Sequence, residues 1–282
     1  MKKKIPTIVI ILALIAGMCL LLYPTISNWW NSFRQTRVIS KYIDDVNNLD
    51  NNRYNEILHE AEVYNEELAQ SGLKYTLSDT EMKRYNSTLN FSSTNVMGYI
   101  EIPSIQVKLA IYHGTGEDTL AVGVGHIAGS SLPIGGENTH CVLSGHRGLP
   151  SATLFSNLDK VTEGDRFIIN ILDKTLTYEV DQIRIVEPHE LNDLAIEDGK
   201  DYCTLVTCTP YGINTHRILV RGHRVENIKE RARVTSDAFQ IEPVIVAPIV
   251  ATPMVIILII FVTIKSHKAN KKRKEKKKNE GK

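Results

Sequence analysis

The stretch Tyr202–Val225 reads YCTLVTCTPYGINTHRILVRGHRV and decides the fold of the central part of the chain. Two runs rich in β-branched and apolar residues flank the segment PYGIN, which contains proline, glycine and asparagine. Runs of this kind, bounded by turn-forming residues, are typical of β-strands. The stretch therefore predicts two strands, Tyr202–Thr207 and Arg217–Val225, and Cys208 directly follows the first.

Similar short runs extend back to residue 96, separated by glycine, proline, asparagine or aspartate. Their regular spacing predicts a mainly β domain with a closed or sandwich-like sheet. Within it, Ala152–Leu158 is the segment that could form a short helix, and no internal repeat is visible. The other predicted strands are Met97–Ile102, Val107–Tyr112, His140–Leu143, Arg166–Ile171 and Leu176–Val186.

Residues 27–72 show helical periodicity instead, with apolar residues three or four positions apart. Asn51 and Asn52 are candidate N-caps for a second helix, and Gly72 is a candidate stop. This segment predicts a helical stalk or hairpin. Residues 73–95 are rich in serine, threonine and asparagine, and their composition predicts a loop.

Two uncharged apolar runs, Ile5–Tyr23 and Val244–Ile264, are long enough to cross a bilayer, which takes roughly 20 helical residues. Both have lysines on their outer flanks, so the positive-inside rule places both chain ends in the cytoplasm. Residues 24–243 would then lie outside the cell membrane. The alternatives are a cleaved signal peptide for the first run and a buried core helix for the second.

The net charge of +1 hides an asymmetry between the tails and the rest of the chain. Residues 265–282 contain ten basic and two acidic residues, and residues 2–4 are all lysine. Basic tails beside an acidic domain indicate contact with anionic membrane lipids and argue against nucleic-acid binding by the domain. No phosphate-binding glycine loop or calcium loop is present, so the sequence predicts no cofactor and no metal.

Three residues form a candidate catalytic set: Cys208 at a strand end, His146 after another strand, and Arg217 at the start of the next. A thiolate is a nucleophile, and a neighbouring imidazole can take its proton and return it to a leaving amine. A fixed guanidinium can stabilise the negative oxygen of a tetrahedral intermediate. The set therefore indicates acyl transfer through a thioester.

Other interpretations of these residues remain open. Cysteine is often a core residue, and a lone histidine after a strand is often structural. Cys203, Cys208, His216 and His223 could be proposed as zinc ligands, but positions 203 and 208 have opposite parity on a strand and face opposite sides. The partner of Cys203, whether a disulfide with Cys141 or none, is not decided by the sequence.

The motifs around these residues closely resemble those of the sortases, and specifically the class C, pilin-polymerising branch. The segment TLVTC at 204–208 matches the family signature TLxTC, and the resemblance covers about residues 96–226. The other matching segments, in chain order, are Gly98–Pro103, Ile111–Thr115, Gly123–His126, Ser131–Gly136, His146–Pro150 and Thr209–Gly222.

The resemblance implies a sortase-type closed β-barrel with short helices, an N-terminal helical extension and two transmembrane helices. It implies that Cys208 cleaves an LPXTG-type sorting signal between Thr and Gly and passes the acyl group to a lysine of another pilin subunit. His146 would be the general acid/base and Arg217 would hold substrate and oxyanion. Arg221 shares the parity of Arg217 but is better interpreted as a structural charge, and His216 has the opposite parity.

One departure concerns the lid that many class C sortases carry before the barrel. Its Asp-Pro-aromatic motif is missing here, because no proline occurs between Pro24 and Pro103. Asp79 is only a positional substitute, so we expect a weakly held or absent lid. Alternative functions are a sortase that anchors proteins to the cell wall, a membrane-tethered cysteine protease, and a non-enzymatic adaptor.

These interpretations predict six regions along the chain. They are an N-terminal anchor at 1–26, a helical stalk and possible lid at 27–95, a catalytic barrel at 96–230, a linker at 231–243, a C-terminal transmembrane helix at 244–264 and a basic cytoplasmic tail at 265–282.

Overall fold

The structure is a computed structural model that describes residues 5–74, 76–227, 252–261, 263–265 and 268. The chain divides into two compact units. One unit is Trp30–Arg231, and the other combines Met1–Trp29 with Ala232–Lys282. All strands of the β domain lie in the first of these units.

Eight strands close into a barrel in the order β1-β2-β3-β4-β7-β8-β6-β5. This confirms the predicted closed, mainly β domain. The sequence pattern missed β3, because three residues are too few for a periodic signal. The strands are β1 Val96–Ile102, β2 Val107–His113, β3 Val124–His126, β4 Thr139–Ser144, β5 Arg166–Ile171, β6 Lys174–Val186, β7 Asp201–Thr209 and β8 His216–Val225.

The barrel interior is filled by alternate residues of each strand, as its pleat requires. Phe167 and Tyr178 stack with ring centroids 5.4 Å apart and both side chains are fully buried. A Cβ on Gly222 would lie 2.7 Å from the Phe167 ring. Glycine at this position of β8 therefore lets the strand pass close to the aromatic core.

The described residues up to 227 contain four α-helices: α1 Ile5–Asn47, α2 Asn51–Ser71, α3 Asp79–Ser87 and α4 Glu117–Val122. The N-cap of α2 is Asp50, whose carboxylate accepts the Arg53 N–H at 2.9 Å, so the prediction of Asn51 or Asn52 is wrong. Gly72 ends α2 with φ 76°, as predicted. Only glycine adopts such a φ at low cost.

Two local predictions are wrong. Residues 73–95 are not a continuous loop, because α3 forms there behind a capping box between Ser78 and Glu81. Ala152–Leu158 is not a helix, because Leu154 has φ 40° and the segment forms turns followed by a 3-10 helix, Leu158–Lys160. Its apolar residues are buried as loop anchors rather than along a helical stripe.

Polar side chains attach the N-terminal helices to the barrel. The Tyr42 hydroxyl donates to the carbonyl of Met97 at 2.8 Å and accepts the Leu172 N–H at 2.7 Å. The Asn65 amide donates to the carbonyl of Leu132 at 3.1 Å and accepts that residue's N–H at 2.7 Å. Buried pairs of this kind fix register as well as contact, so α1 and α2 hold defined positions on the barrel.

Among the residues that the structure describes, one helix is long and apolar enough to span a membrane, Ile8–Asn47 within α1. It continues without a break through residues 26 and 27. A second apolar helix, Thr252–Lys265, is shorter. Residues 244–251 of the predicted second span lie outside the described residues, so two spans stay a prediction.

Candidate active site

Strands β4, β7 and β8 lie side by side and bring the three candidate residues level with one another. β7 and β8 are antiparallel, with Cys208 opposite Arg217. β4 and β7 are parallel, and their ladder runs from Thr139 opposite Asp201 to Ser144 opposite Val206. Adjacent strands are about 4.8 Å apart, so the side chain of Arg217 begins one strand away from Cys208.

The ladder between β4 and β7 continues past the last assigned residue of β4. The Gly145 N–H donates to the carbonyl of Val206 at 3.0 Å, and the Thr207 hydroxyl donates to the carbonyl of Gly145 at 2.7 Å. His146 comes next and is therefore level with Cys208 by register. The order across the sheet is His146, Cys208, Arg217.

Cys208 is a free, half-buried thiol on the outer face of the barrel. Cys203 and Leu205 belong to the main core, whereas Val206 belongs to a cluster on the other face of β7. Side chains alternate along a strand, so Cys208 shares the face of Val206. This confirms that positions 203 and 208 face opposite sides, so these two thiols cannot share a zinc ion.

A buried apolar cluster lies on the same outer face as Cys208. Val142, Val206 and Leu219 of the three strands pack there with Val186 and Leu194. The partly buried residues Leu73, Ile127 and Leu191 lie against this cluster. All five of these cluster residues are at most 7% exposed, so the cluster is buried packing beside the strand end that carries the thiol.

The loop that carries His146 is tightly built. A Cβ on Gly145 would lie 2.6 Å from the ring of Phe155, so glycine is needed for this close approach. The Phe155 N–H donates to the carbonyl of His146 at 3.1 Å. Arg147 donates to the Thr209 hydroxyl at 3.2 Å and pairs with Asp159. These contacts fix the backbone on both sides of the imidazole.

Arg217 is held at the start of β8 by its own turn. Its guanidinium donates to the carbonyls of Asn214 at 3.1 Å and His216 at 3.0 Å. An arginine side chain stays charged at every accessible pH. Because these two bonds use one nitrogen, Nη1, the guanidinium has other N–H groups with which to contact a substrate oxygen.

Two neighbouring basic residues have other roles. Arg221 donates from Nε and Nη2 to Asp181 at 3.0 and 3.1 Å and stacks on the Tyr202 ring at 4.3 Å. It is thus a structural charge on the barrel face, as expected. His216 is partly exposed and lies 3.3 Å from Glu187. It directly precedes Arg217 in the chain and has the opposite parity. Neither is brought beside Cys208.

A buried cluster of aromatic and histidine side chains, which the sequence pattern did not predict, lies under α3. The Tyr85 hydroxyl accepts the Gly114 N–H at 2.9 Å and lies 3.0 Å from Nδ1 of His126. His113 contacts the Tyr85 ring and bonds through Nε2 to the carbonyl of Thr88 at 2.7 Å. Burial lowers the pKa of His113 and raises that of Tyr85. The capping pattern Ser78-x-x-Glu81 was the one signal that could have located α3.

The segment between α2 and α3 contacts the barrel at several points. Leu73 packs on the outer apolar cluster, and the Lys74 N–H donates to the carbonyl of Gly129 at 3.2 Å. Lys74 also pairs with Glu81 at 2.8 Å. The first two contacts hold the start of the segment against the barrel, and the Lys74–Glu81 pair joins it to α3, while the weakly held or absent lid stays a prediction. Whether the segment limits access to Cys208 stays a prediction too.

Comparisons with known proteins identify the class to which this barrel and site belong. Residues 100–225 match the family model of the sortase domain. Over 153 residues, the chain is 30% identical to sortase D of Bacillus subtilis (strain 168), covering 53% of this chain and 74% of that relative. The chain therefore belongs to the sortase family, which comprises cysteine transpeptidases.

Several solved structures similar to the chain are class C sortases. Sortase C1 of Streptococcus agalactiae is 55% identical with a TM-score of 0.66, covering 68% of this chain and 99% of that one. Sortase C of Clostridium perfringens, solved with the C-terminal cell wall sorting motif, is 46% identical with a TM-score of 0.60, covering 68% and 100%. This agrees with the class C resemblance of the sequence motifs.

Proposed function

We propose that this chain polymerises pilin subunits by cutting an LPXTG-type sorting signal between Thr and Gly. The observation that carries the proposal is the strand register: Cys208 of β7 lies opposite Arg217 of β8, and His146 follows β4 at the position that is level with Cys208 when the β4–β7 register is continued by two residues. Nucleophile, base and oxyanion donor then border one position where a carbonyl can sit. The similar sortase C of Streptococcus pneumoniae, whose crystal structure bears on pilin substrate specificity, supports the pilin substrate.

In the first half of the reaction, His146 takes the proton of the Cys208 thiol, and the sulfur attacks the threonine carbonyl carbon. The guanidinium of Arg217 stabilises the oxyanion of the tetrahedral intermediate. His146 then gives the proton to the glycine nitrogen as the Thr–Gly bond breaks. The products are a thioester between threonine and Cys208 and a free peptide with an N-terminal glycine.

In the second half, the neutral ε-amine of a lysine on another pilin subunit attacks the thioester carbonyl. His146 accepts the amine proton and returns it to the sulfur of Cys208, which leaves as the thiol. The new bond is an isopeptide between threonine and lysine, so the chain of subunits grows by one.

We place the catalytic barrel, residues 96–230, on the extracellular face of the cell membrane. Residues 1–26, which include the first part of α1, would be an uncleaved anchor in the lipid, and residues 244–264 a second span, with the basic tail in the cytoplasm. In this arrangement residues 27–95 form the helical stalk and lid region, and residues 231–243 form a linker. A protease-protection experiment on intact cells would test the orientation, because it predicts digestion of the barrel but not of either end.

The test uses the full chain in detergent micelles, a purified pilin with an LPXTG-type signal, and a Cys208→Ala variant. Covalent pilin ladders that are absent with Cys208→Ala are the expected result. Cleavage of the signal without ladders, but with transfer to a cell-wall peptide amine, would show a wall-anchoring enzyme instead. Release of free cleaved pilin alone would show a protease, and ladders with Cys208→Ala would contradict the mechanism.

A further inference from the structure

Arg147 is a buried charge beside the candidate site that the proposed mechanism does not use. Its side chain is only 8% exposed, which is rare for arginine. It directly follows His146 in the chain and points its guanidinium towards the end of β7 rather than towards solvent. A charge that is buried at this position needs a physical reason.

The partners of Arg147 belong to three different segments. Nη1 donates to the hydroxyl of Thr209, the residue after Cys208, at 3.2 Å. Nη2 pairs with the carboxylate of Asp159 in the 3-10 helix Leu158–Lys160. The guanidinium carbon lies 5.8 Å from the centre of the Tyr211 ring, in the turn after β7. One side chain thus joins the histidine loop to both the strand end and the turn beyond the thiol.

Stability alone does not explain this arrangement. Nε of Arg147 is buried without a hydrogen-bond partner among the described residues. An unsatisfied buried donor is costly, and buried ion pairs are often no better for stability than apolar side chains of similar volume. A planar guanidinium does, however, fix the geometry of several groups at once.

Two large side chains of the turn that Arg147 contacts are exposed. Tyr211 is 62% exposed and Ile213 is 68% exposed. The ring of Tyr211 lies against Gly148, where a Cβ would be 3.3 Å from it and where φ is 80°. The turn is therefore fastened to the histidine loop mainly through Arg147 and Gly148, next to the proposed nucleophile.

We infer that Arg147 is a positioning residue that holds His146 and Cys208 at working distance by clamping the histidine loop to Thr209 and the β7–β8 turn. The inference rests on the proposed roles of His146 and Cys208. Arg147 does not touch the reacting atoms. Its effect is to prevent the two strand ends from separating, and a displacement of about 1 Å at such a pair can cost about 100-fold in rate.

The test compares variants of the full chain in detergent micelles, using a fluorogenic peptide with an LPXTG sequence. Arg147→Met removes the charge at similar length and leaves Asp159, which is 42% exposed, in contact with solvent. Arg147→Lys keeps the charge, and Thr209→Val removes one partner while keeping the ion pair. The matched control is Arg166→Met, which breaks an arginine–glutamate pair between β5 and β6.

We expect Arg147→Met to lower kcat per folded molecule by about 100-fold with KM changed less than about threefold. Arg147→Lys should recover part of that loss, Thr209→Val should lower kcat by about tenfold, and Arg166→Met should match the wild type. If Arg147→Met does not fold, a wild-type kcat for Thr209→Val overturns the inference.

A wild-type kcat for folded Arg147→Met, or an equal loss in Arg166→Met, also overturns it. Failure of the proposed function looks different, because the wild type would then leave the peptide intact or Cys208→Ala would still cleave it. That result would overturn both the function and the role of Arg147.

Discussion

Cys203 and Cys208 lie on the same strand, five residues apart, in opposite surroundings. Cys203 faces the barrel interior, opposite Cys141 on the neighbouring strand, and burial raises the pKa of its thiol. Cys208 faces outward, is half-buried, and has Arg217 beside it. The comparison teaches that strand parity, and not residue type, separates a core thiol from one that a substrate can reach.

A different contrast separates two histidines of one chain segment, which have the same strand parity. His140 is buried on the outer face of β4, where Nδ1 lies 2.7 Å from the carbonyl of Ala195 and Nε2 lies 2.7 Å from the Thr204 hydroxyl. His146 lies six residues further on, beyond the end of the strand. Both nitrogens of His140 are occupied, so it supports the loop before β7, whereas His146 is placed level with the thiol.

The largest expected effect is the loss of activity when Cys208 is replaced by alanine, compared with the same substitution at Cys203. Cys208→Ala should lower kcat/KM by at least about 10⁴-fold because the nucleophile is lost. Cys203→Ala should leave kcat/KM unchanged and reduce the free energy of unfolding by about 1 kcal/mol, since it opens a methyl-sized cavity. Peptide cleavage and urea unfolding measure the two quantities. Equal loss of activity in both variants would remove the distinction between the faces.

A second test compares two arginines of β8 that share the outer face. Arg217→Ala should lower kcat by about 100- to 1,000-fold, as for loss of an oxyanion donor. Arg221→Lys, four residues on, should change kcat by less than about threefold while weakening the bonds to Asp181. Single-turnover thioester formation is the suitable measurement. A stronger effect at Arg221 than at Arg217 would move the oxyanion site along the strand.

A third test compares alanine substitutions at two glycines, one in close contact with a neighbouring ring and one in open space. Gly145→Ala forces a Cβ to within 2.6 Å of the Phe155 ring, so we expect about 1–3 kcal/mol of destabilisation and a lower kcat as His146 shifts. Gly116→Ala meets nothing within 4 Å and should be within about 0.5 kcal/mol of the wild type. Thermal unfolding measures the change in stability of each variant, and peptide cleavage measures its kcat. An unchanged kcat in Gly145→Ala would mean that the loop does not set the imidazole position.

The smallest effect is a pH dependence of stability carried by His140. Burial lowers its pKa, and Arg221 lowers it further, while its bond to Ala195 and the charges of Glu197 and Asp181 act in the opposite direction. The unfolded chain therefore binds more protons below about pH 6.5, and the free energy of unfolding falls as the pH drops from there towards the folded pKa.

This dependence can be measured as the change in Tm between pH 7 and pH 5. We expect a smaller change in His140→Gln than in the wild type, whereas a variant of the exposed His59 should behave like the wild type. His113, whose pKa is also lowered by burial, leaves a residual slope in every variant. A wild-type slope in His140→Gln would show that this histidine is not neutral in the folded chain.

Much of the barrel was predictable because its longer strands carry β-branched runs between turn residues. The opposite orientation of Cys203 and Cys208 followed from parity alone. The pairing of β4 with β7 joins residues about 60 positions apart. The sequence alone therefore could not show that His146 is level with Cys208. β3 was too short to detect, α3 was hidden by its polar composition, and nothing in the sequence indicates that Arg147 is buried.

The most direct test of the account is peptide mapping of the acyl-enzyme trapped with an LPXTG-type peptide. The full chain in micelles is mixed with peptide, quenched in acid and digested, and each cysteine-containing fragment is weighed. We expect the fragment that contains Cys208 to gain the mass of the N-terminal part of the peptide, up to and including threonine. The fragments with Cys141 and Cys203 should stay unmodified. An adduct on either buried thiol, or cleavage of the peptide with no adduct on Cys208 at any quench time, would contradict the account.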